Sequence, residues 1–316
     1  MAGVFVFSEN ADTVRELLGG GYGLAEKLGT RLAAFAMDAG LAQEFIRCGA
    51  DEVFVLPPLA PEQPIEAYLP VLADAARAED PDVFLIGATA RGKEIAARLS
   101  ARLNAGLCSG CTKFELEDGR LRMERMVYGG AAIQTVLCTA RPQLATIPPR
   151  TFEPAAPREG RQGQIRELEG PTESAVRVVG RSPRQRQSVD ITEAKVVVCV
   201  GRGIEKPEDI SIARELAAAI GGEVACSRPI AEELHWLPEE LYLGISGKKV
   251  KPELYLGVGV SGQVQHVTGI RDSKVIFAIN RDENAPIFDA ADYGIVGDLY
   301  QVVPRLIDEL KAALKA

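Results

Sequence analysis

The chain has 316 residues, 47% hydrophobic and 25% charged, which is enough apolar material for two folded domains and excludes disorder as the default state. A net charge of −8, with no basic block interleaved with aromatics, excludes the electrostatic footprint of nucleic-acid binding. No run approaches the roughly 18 apolar residues of a membrane span, and Met1-Ala-Gly3 leads straight into a strand pattern without a signal peptide's charged region, so a cytoplasmic protein with no membrane insertion is expected.

In the first half, short apolar runs alternate with segments of helical spacing. Strands are predicted at Val4–Phe7, Leu32–Ala36, Glu52–Leu56 and Val83–Ile86, and helices near Leu41–Arg47, Ile65–Glu79 and Lys93–Leu103. Such alternation needs crossover connections, and therefore a mostly parallel sheet with helices on both faces. After Leu103 the pattern changes. Phe114–Leu121 is a hairpin candidate with Asp118-Gly119 as its turn, and Arg125–Ile147 adds strand-like pieces around a Gly129-Gly130 break, giving an appended antiparallel portion. From Pro148 to Asp190 the chain is rich in Pro, Arg, Gln and Glu, with strand character only at Ile165 and Ala175–Val179. Ser182-Pro-Arg-Gln-Arg-Gln-Ser188 has no apolar residue and is the linker candidate, which sets the domains at 1–190 and 191–316.

The second half opens with Lys195–Val200, a continuous apolar run suited to a strand buried on both faces, then Gly201-Arg-Gly203 and a helix from about Pro207 to Ile220. Further strands are predicted at Glu223–Cys226, Tyr255–Val260, Val275–Ile279 and Gly294–Val296, with an amphipathic closing helix over Leu299–Leu314. The fold class is α/β in two domains, the C-terminal one a doubly wound parallel sheet. Gly201-Arg202, Ser227-Arg228, Ser261-Gly262, Asn280 and Asp298 each follow an apolar run. Ligands of open α/β sheets bind outside the carboxyl ends of the strands, so these five ends should meet at one crevice. Ser261 is read as the N-cap of a helix following its strand, and the unpaired N–H groups of such a terminus favour a ligand that carries phosphate.

Gly201-Arg-Gly203 begins like a dinucleotide fingerprint, but Lys206 stands at the third glycine position and Glu223 precedes its strand, so the nicotinamide signature is incomplete. Ser227-Arg228 has the chemistry to hold a 2′-phosphate, which keeps an NADP-binding oxidoreductase as the alternative; a nucleotide-binding regulatory module is a third reading. Arg202 and Arg228 taken singly would be solvated surface residues, and their placement at strand ends argues for ligand contact. His266 falls beside the expected phosphate site, and with only His235 as company it points to ligand contact and not to a metal. The six cysteines are scattered without the spacing of a disulfide framework. Cys108-Ser-Gly-Cys111 has redox spacing but leads into a hairpin instead of a helix, which favours a structural role. No GxSxG, HExxH or Walker A sequence occurs, leaving hydrolase and phosphotransferase readings without support.

The second half resembles the alpha subunit of electron-transferring flavoproteins. The resemblance rests on Val198–Gly203, Ser227-Arg228, Leu243-Gly-Ile-Ser-Gly-Lys248, Pro252–His266, Ala278-Ile-Asn280, Ala285-Pro-Ile-Phe288 and Ala291–Asp298, and it covers nearly all of 190–316. Gly87-Ala-Thr89, Tyr128-Gly-Gly130 and Arg141–Thr146 extend it more loosely into the first half. It implies that the C-terminal domain binds FAD and that the chain is half of a heterodimer, a carrier and not an enzyme with its own substrate. The beta subunit of such a pair closes over the flavin and carries AMP or, in electron-bifurcating members, a second FAD. Electrons would arrive from flavoprotein dehydrogenases of the acyl-CoA type and leave to a downstream oxidoreductase.

Carried over by position, the resemblance makes Arg228 the guanidinium beside the isoalloxazine ring, Ser246 the hydroxyl on flavin N5 and His266 the group at the N1/O2 edge. Leu243, Gly244 and Ile245 belong to the loop that presents Ser246. Arg202, Ser227, Ser261, Gly262, Gln263, Val264 and Gln265 would line the pyrophosphate and ribityl path, and Asn280, Asp298 and Leu299 the adenosine end. One-electron reduction puts negative charge near N1 and O2, so a cation and a donor there raise the potential. The family often has Gly-Gln-Thr-Gly where this chain has Gly244-Ile-Ser-Gly247: serine keeps the hydroxyl, while Ile245 removes an amide.

Overall fold

The computed structural model describes residues 3–170, 172, 174–182 and 190–313. They fall into two compact units, one reaching Val127 and resuming over Ala132–Ser182, the other made of Tyr128–Ala131 and the described residues beyond Ser182. Of the linker expected at Ser182–Ser188, residues 183–188 lie outside the described residues. Among the described residues no helix is long and apolar enough to cross a membrane.

The first unit runs β1 (Gly3–Phe7), α1 (Ala11–Leu28), β2 (Arg31–Ala36), α2 (Ala42–Arg47), β3 (Glu52–Val55), α3 (Leu69–Glu79), β4 (Val83–Gly87), α4 (Ala90–Leu103), β5 (Leu107–Cys108), β6 (Cys111–Glu117), β7 (Arg120–Val127), β8 (Ala132–Leu137), β9 (Gln143–Ile147) and β10 (Gln164–Glu167). Seven of these strands make a wholly parallel sheet in the order β10-β3-β2-β1-β4-β9-β5. β1 and β4 are buried at every residue, because helices cover both faces, and this is why they read as unbroken apolar runs. Phe5, Phe35, Phe54 and Phe84 cluster within that core, their ring centroids 5.1–5.8 Å apart.

The appended portion is the antiparallel sheet β6-β7-β8. Asp118 and Gly119 both take positive φ, 48° and 74°, between the paired residues Glu117 and Arg120, which is the two-residue turn that matches strand twist. Cys108 and Cys111 are buried and unpaired by disulfide; a hydrogen bond between them lowers the pKa of Cys108 and, together with burial, raises that of Cys111.

Two sequence expectations fail here. Ala175–Val179 forms no strand. Its backbone instead ties to the α/β unit through Val178 N–H, which donates to the Glu62 carbonyl at 2.7 Å, while Val176 N–H donates locally to Ser174 Oγ at 3.1 Å. The 18-residue helix α1 was not expected, since Gly19, Gly20, Gly21 and Gly23 sit inside it and each glycine costs about 1 kcal/mol relative to alanine. Packing explains the first two: a Cβ on Gly19 would stand 2.2 Å from the Glu153 carbonyl oxygen, and one on Gly20 2.5 Å from the Phe152 ring, whereas Gly23 has nothing within 4 Å. The chain at 152–155 lies directly on the helix, and only glycine admits it.

The second unit runs β11 (Val196–Val200), α5 (Ile210–Ala219), β12 (Glu223–Cys226), β13 (Leu254–Val258), α6 (Val264–Val267), β14 (Val275–Asn280), α7 (Ile287–Ala290), β15 (Tyr293–Val296) and α8 (Leu299–Ala313). Its five strands are all parallel in the order β12-β11-β13-β14-β15, the doubly wound arrangement expected. α5 and α8 pack against each other and against the sheet. The register sets Cys226, Val200, Val258 and Ile279 side by side. The residues that follow them, Ser227, Gly201, Gly259 and Asn280, therefore emerge in one row. The order reverses between β11 and β13, which opens a crevice between the loops that follow these two strands.

Candidate functional site

At that crevice lies a cavity of about 700 Å³, with walls from the ends of all five strands of the second unit. Its size is in the range of small-molecule and cofactor sites. The loop after β11 touches the loop after β13 backbone to backbone: Gly203 N–H donates to the Gly259 carbonyl at 3.0 Å, and a Cβ on Gly201 would stand 2.3 Å from that same oxygen. Two side-chain-free positions thus let the loops close while Arg202 between them stays exposed at the cavity wall.

After β12, Ser227 is buried and its N–H donates to the Val200 carbonyl at 2.9 Å. Arg228 precedes a single π-helical turn, Pro229–Glu233, and its Nε donates to Glu232 Oε2 at 2.6 Å. That carboxylate raises the guanidinium's pKa above its ordinary value. The following loop returns to the site through Leu243, whose N–H donates to the Cys226 carbonyl at 2.9 Å, and through Ile245, whose N–H donates to the Gln265 carbonyl at 2.8 Å. These bonds hold Ser246 at the cavity, its Oγ 2.8 Å from the Tyr242 hydroxyl.

The loop after β13 corrects one expectation. Ser261 does not cap a helix: Gly262, at φ +77°, turns the chain aside, and α6 starts only at Val264 with Gln263 as its N-cap and no side-chain cap bond. α6 has four residues, too few to carry much of a helix dipole. At the far end, Asn280 Nδ2 donates to the Val260 carbonyl at 2.9 Å and Asn280 Oδ1 accepts from Asp282 N–H at 3.0 Å, so its amide locks the two loops together. Asp298 Oδ1 accepts from Tyr300 N–H at 2.9 Å and starts α8.

His266 lies on the cavity wall yet is only 8% exposed. Its Nε2 is 2.8 Å from the hydroxyl of Tyr255, in β13, and 3.9 Å from Cys199 Sγ. Nδ1 is buried with no hydrogen bond of good geometry. Burial pulls the imidazole pKa down to about 4, against a smaller upward pull from the Leu243 backbone. The ring is therefore neutral at pH 7 and carries a single N–H.

Of the residues expected from the sequence, Arg202, Ser227, Arg228, Leu243, Ile245, Ser246, Ser261, Gln263, Gln265, His266, Asn280, Asp298 and Leu299 line the cavity. Gly244, Gly262 and Val264 do not: Gly244 is buried against the Tyr242 ring, Gly262 packs on the Ile287 backbone, and Val264 faces out, 53% exposed. Sequence reasoning passed over Gly203, Glu205, Pro229, Tyr242, Gly259, Val260, Arg281, Asp282, Ala285, Pro286 and Tyr300. The signal was present for some: Arg281-Asp282 directly follows Asn280, and Tyr300 directly follows Leu299.

Residues 4–173 match the family described as the electron transfer flavoprotein domain, and residues 190–271 the electron transfer flavoprotein FAD-binding domain. The protein FixB of Escherichia coli O1:K1 / APEC is 41% identical over 305 residues, covering 96% of each chain, and that of Escherichia coli strain SMS-3-5 / SECEC matches at the same identity and coverage. Among solved structures, benzoylformate decarboxylase from Polynucleobacter necessarius aligns over 98% of this chain and 58% of its own, at 13% identity and a TM-score of 0.24, too low to bear on the fold.

Proposed function

The chain belongs to the electron transfer flavoprotein alpha-subunit family, and on that premise we propose that it takes electrons from flavoprotein dehydrogenases of the acyl-CoA type and passes them to a second redox protein. It is an electron carrier and not an enzyme with its own substrate, and its cofactor is FAD. The residues present fit that cofactor. The observation that carries this is His266 Nδ1, a buried side-chain atom of a cavity-wall residue that makes no hydrogen bond of good geometry among the described residues. The guanidinium groups of Arg202, Arg228 and Arg281 share the same cavity and suit a pyrophosphate.

FAD, when bound, supplies the capacity to accept and release electrons one or two at a time. The side chains bind and tune. Arg228 stands against the isoalloxazine ring, where its charge favours the reduced, more negative state. Ser246, steadied by the Tyr242 hydroxyl, donates to N5, and His266 donates to the N1/O2 edge. Arg202, Ser227, Ser261, Gln263 and Gln265 line the pyrophosphate and ribityl path, and Asn280, Asp298 and Leu299 border the adenosine end. The chain divides near residue 190 and pairs with a beta subunit that holds AMP or a second FAD. A cytoplasmic setting goes with six free, buried cysteines.

The test is a visible spectrum of the chain co-purified with its beta-type partner and titrated anaerobically with a reduced acyl-CoA dehydrogenase. One FAD per heterodimer, reduced by the dehydrogenase, is the expected result; a colourless complex overturns the reading, and two FAD point to bifurcation. Arg228→Ala should lower the first reduction potential by tens of millivolts. The effect is smaller than for a fully buried cation because Glu232 shares the guanidinium and the side chain is 62% exposed. An unchanged potential in the intact complex would remove Arg228 from the ring.

A further inference from the structure

We infer that Tyr255 is a positioning residue: by donating its phenolic proton to His266 Nε2 it holds the imidazole proton on Nδ1, and so makes that nitrogen a donor to the ligand in the cavity. Tyr255 itself does not line the cavity. It stands within β13, fully buried, and reaches His266 across the turn that follows the strand. The inference rests on the proposed reading that His266 meets the N1/O2 edge of the flavin.

A neutral imidazole has one N–H, and a phenol 2.8 Å from Nε2 can pair with it in two ways. If Nε2 carried the proton, it would donate to the Tyr255 oxygen, and the phenolic proton would have to find another acceptor. The sulfur beside it belongs to Cys199, and thiol sulfur is a weak acceptor. Nδ1 would then be a bare, buried lone pair with nothing to offer the Leu243 backbone beside the ring or a ligand edge that itself presents only lone pairs at N1 and O2. If instead Nδ1 carries the proton, the phenol donates to a good nitrogen acceptor, and Nδ1, which makes no hydrogen bond of good geometry in spite of the Leu243 backbone near the ring, becomes the donor that the ligand edge needs. Ionised alternatives are closed, because burial holds the phenol pKa far above its ordinary value and the imidazole pKa near 4. Tyr255 thus does for His266 what second-sphere partners do for ligating histidines: it selects which nitrogen faces outward.

The chain has two histidines, so ¹⁵N-histidine labelling of the heterodimer gives two rings to assign. The His266 ring nitrogens should report a protonated Nδ1 and a bare Nε2, both with FAD bound and after its removal. Tyr255→Phe keeps the buried ring and removes the hydroxyl. It should spread the proton over both nitrogens and raise the FAD dissociation constant by about 5–10-fold, the worth of one hydrogen bond. A native ring protonated on Nε2 overturns the inference even if the variant fails to fold. A variant with unchanged tautomer and unchanged affinity overturns it as well. A native heterodimer with the Nδ1–H tautomer but no affinity for FAD would instead sink the proposed cofactor contact while leaving the role of Tyr255 intact.

Discussion

Gly262→Ala is expected to cost the second unit about 2–5 kcal/mol, from left-handed backbone strain plus overpacking, and to strip FAD from the purified heterodimer. Gly262 has φ +77°, and a methyl group there would stand 2.3 Å from both the nitrogen and the Cα of Ile287. These are backbone atoms at the start of α7, tied to the same loop by Ile287 N–H donating to the Ser261 carbonyl at 3.0 Å. No side-chain tip can swing aside to relieve the overlap. Either α7 or the Ser261–Gln265 wall must move, and that wall carries Ser261, Gln263, Gln265 and, just beyond, His266. Gly221→Ala separates strain from clash, because Gly221 has φ +64° with nothing within 4 Å of the new methyl. It should lose only about 1–2 kcal/mol and keep its cofactor. Denaturant unfolding with the FAD-to-protein ratio checks both variants. Equal losses, with FAD retained in each, would mean that Ile287 does not pin the wall.

The contrast between those two glycines shows what kind of information the chain displays openly. Strand ends were legible because an apolar run buried on both faces stops abruptly at a glycine or a polar residue, as at Val200-Gly201, Cys226-Ser227 and Ile279-Asn280. A parallel register then levels those ends, so five separate sequence signals become one crevice. Helix α1 was hidden for the opposite reason. Two of its glycines, Gly19 and Gly20, obey a neighbour more than a hundred residues away, the chain at 152–155, and local propensity has no access to that contact. The capping role given to Ser261 failed at one backbone angle, the positive φ of Gly262, which postpones the helix to Val264. Tyr242 and Tyr255 were passed over because their hydrogen bonds to Ser246 and His266 depend on how loops cross, which no local pattern displays.

Acid should weaken the second unit through His266, and His266→Gln should flatten the dependence. In the unfolded chain the imidazole takes up a proton near its ordinary pKa of 6.5, while in the folded protein burial delays this to about 4. Between those values the unfolded state binds more protons than the folded one, so the free energy of unfolding falls as the pH falls. At 1.36 kcal/mol per pKa unit, the loss accumulates to roughly 3 kcal/mol by pH 4 and then stops. Glu66 and Glu79, whose pKa values are lowered by arginine partners, also lose stability in acid, but they belong to the first unit and are common to both proteins. Subtracting one pH profile from the other therefore isolates the imidazole. Glutamine adds a constant offset through whatever it does to the Tyr255 hydroxyl, and an offset leaves the slope untouched. Urea unfolding of the flavin-carrying unit at steps from pH 7 to pH 4 is the measurement. Native and variant curves that run parallel would mean the folded ring titrates near its ordinary pKa, and a ring that charges so readily would bind the N1/O2 edge as a cation and not as the neutral donor derived from its burial.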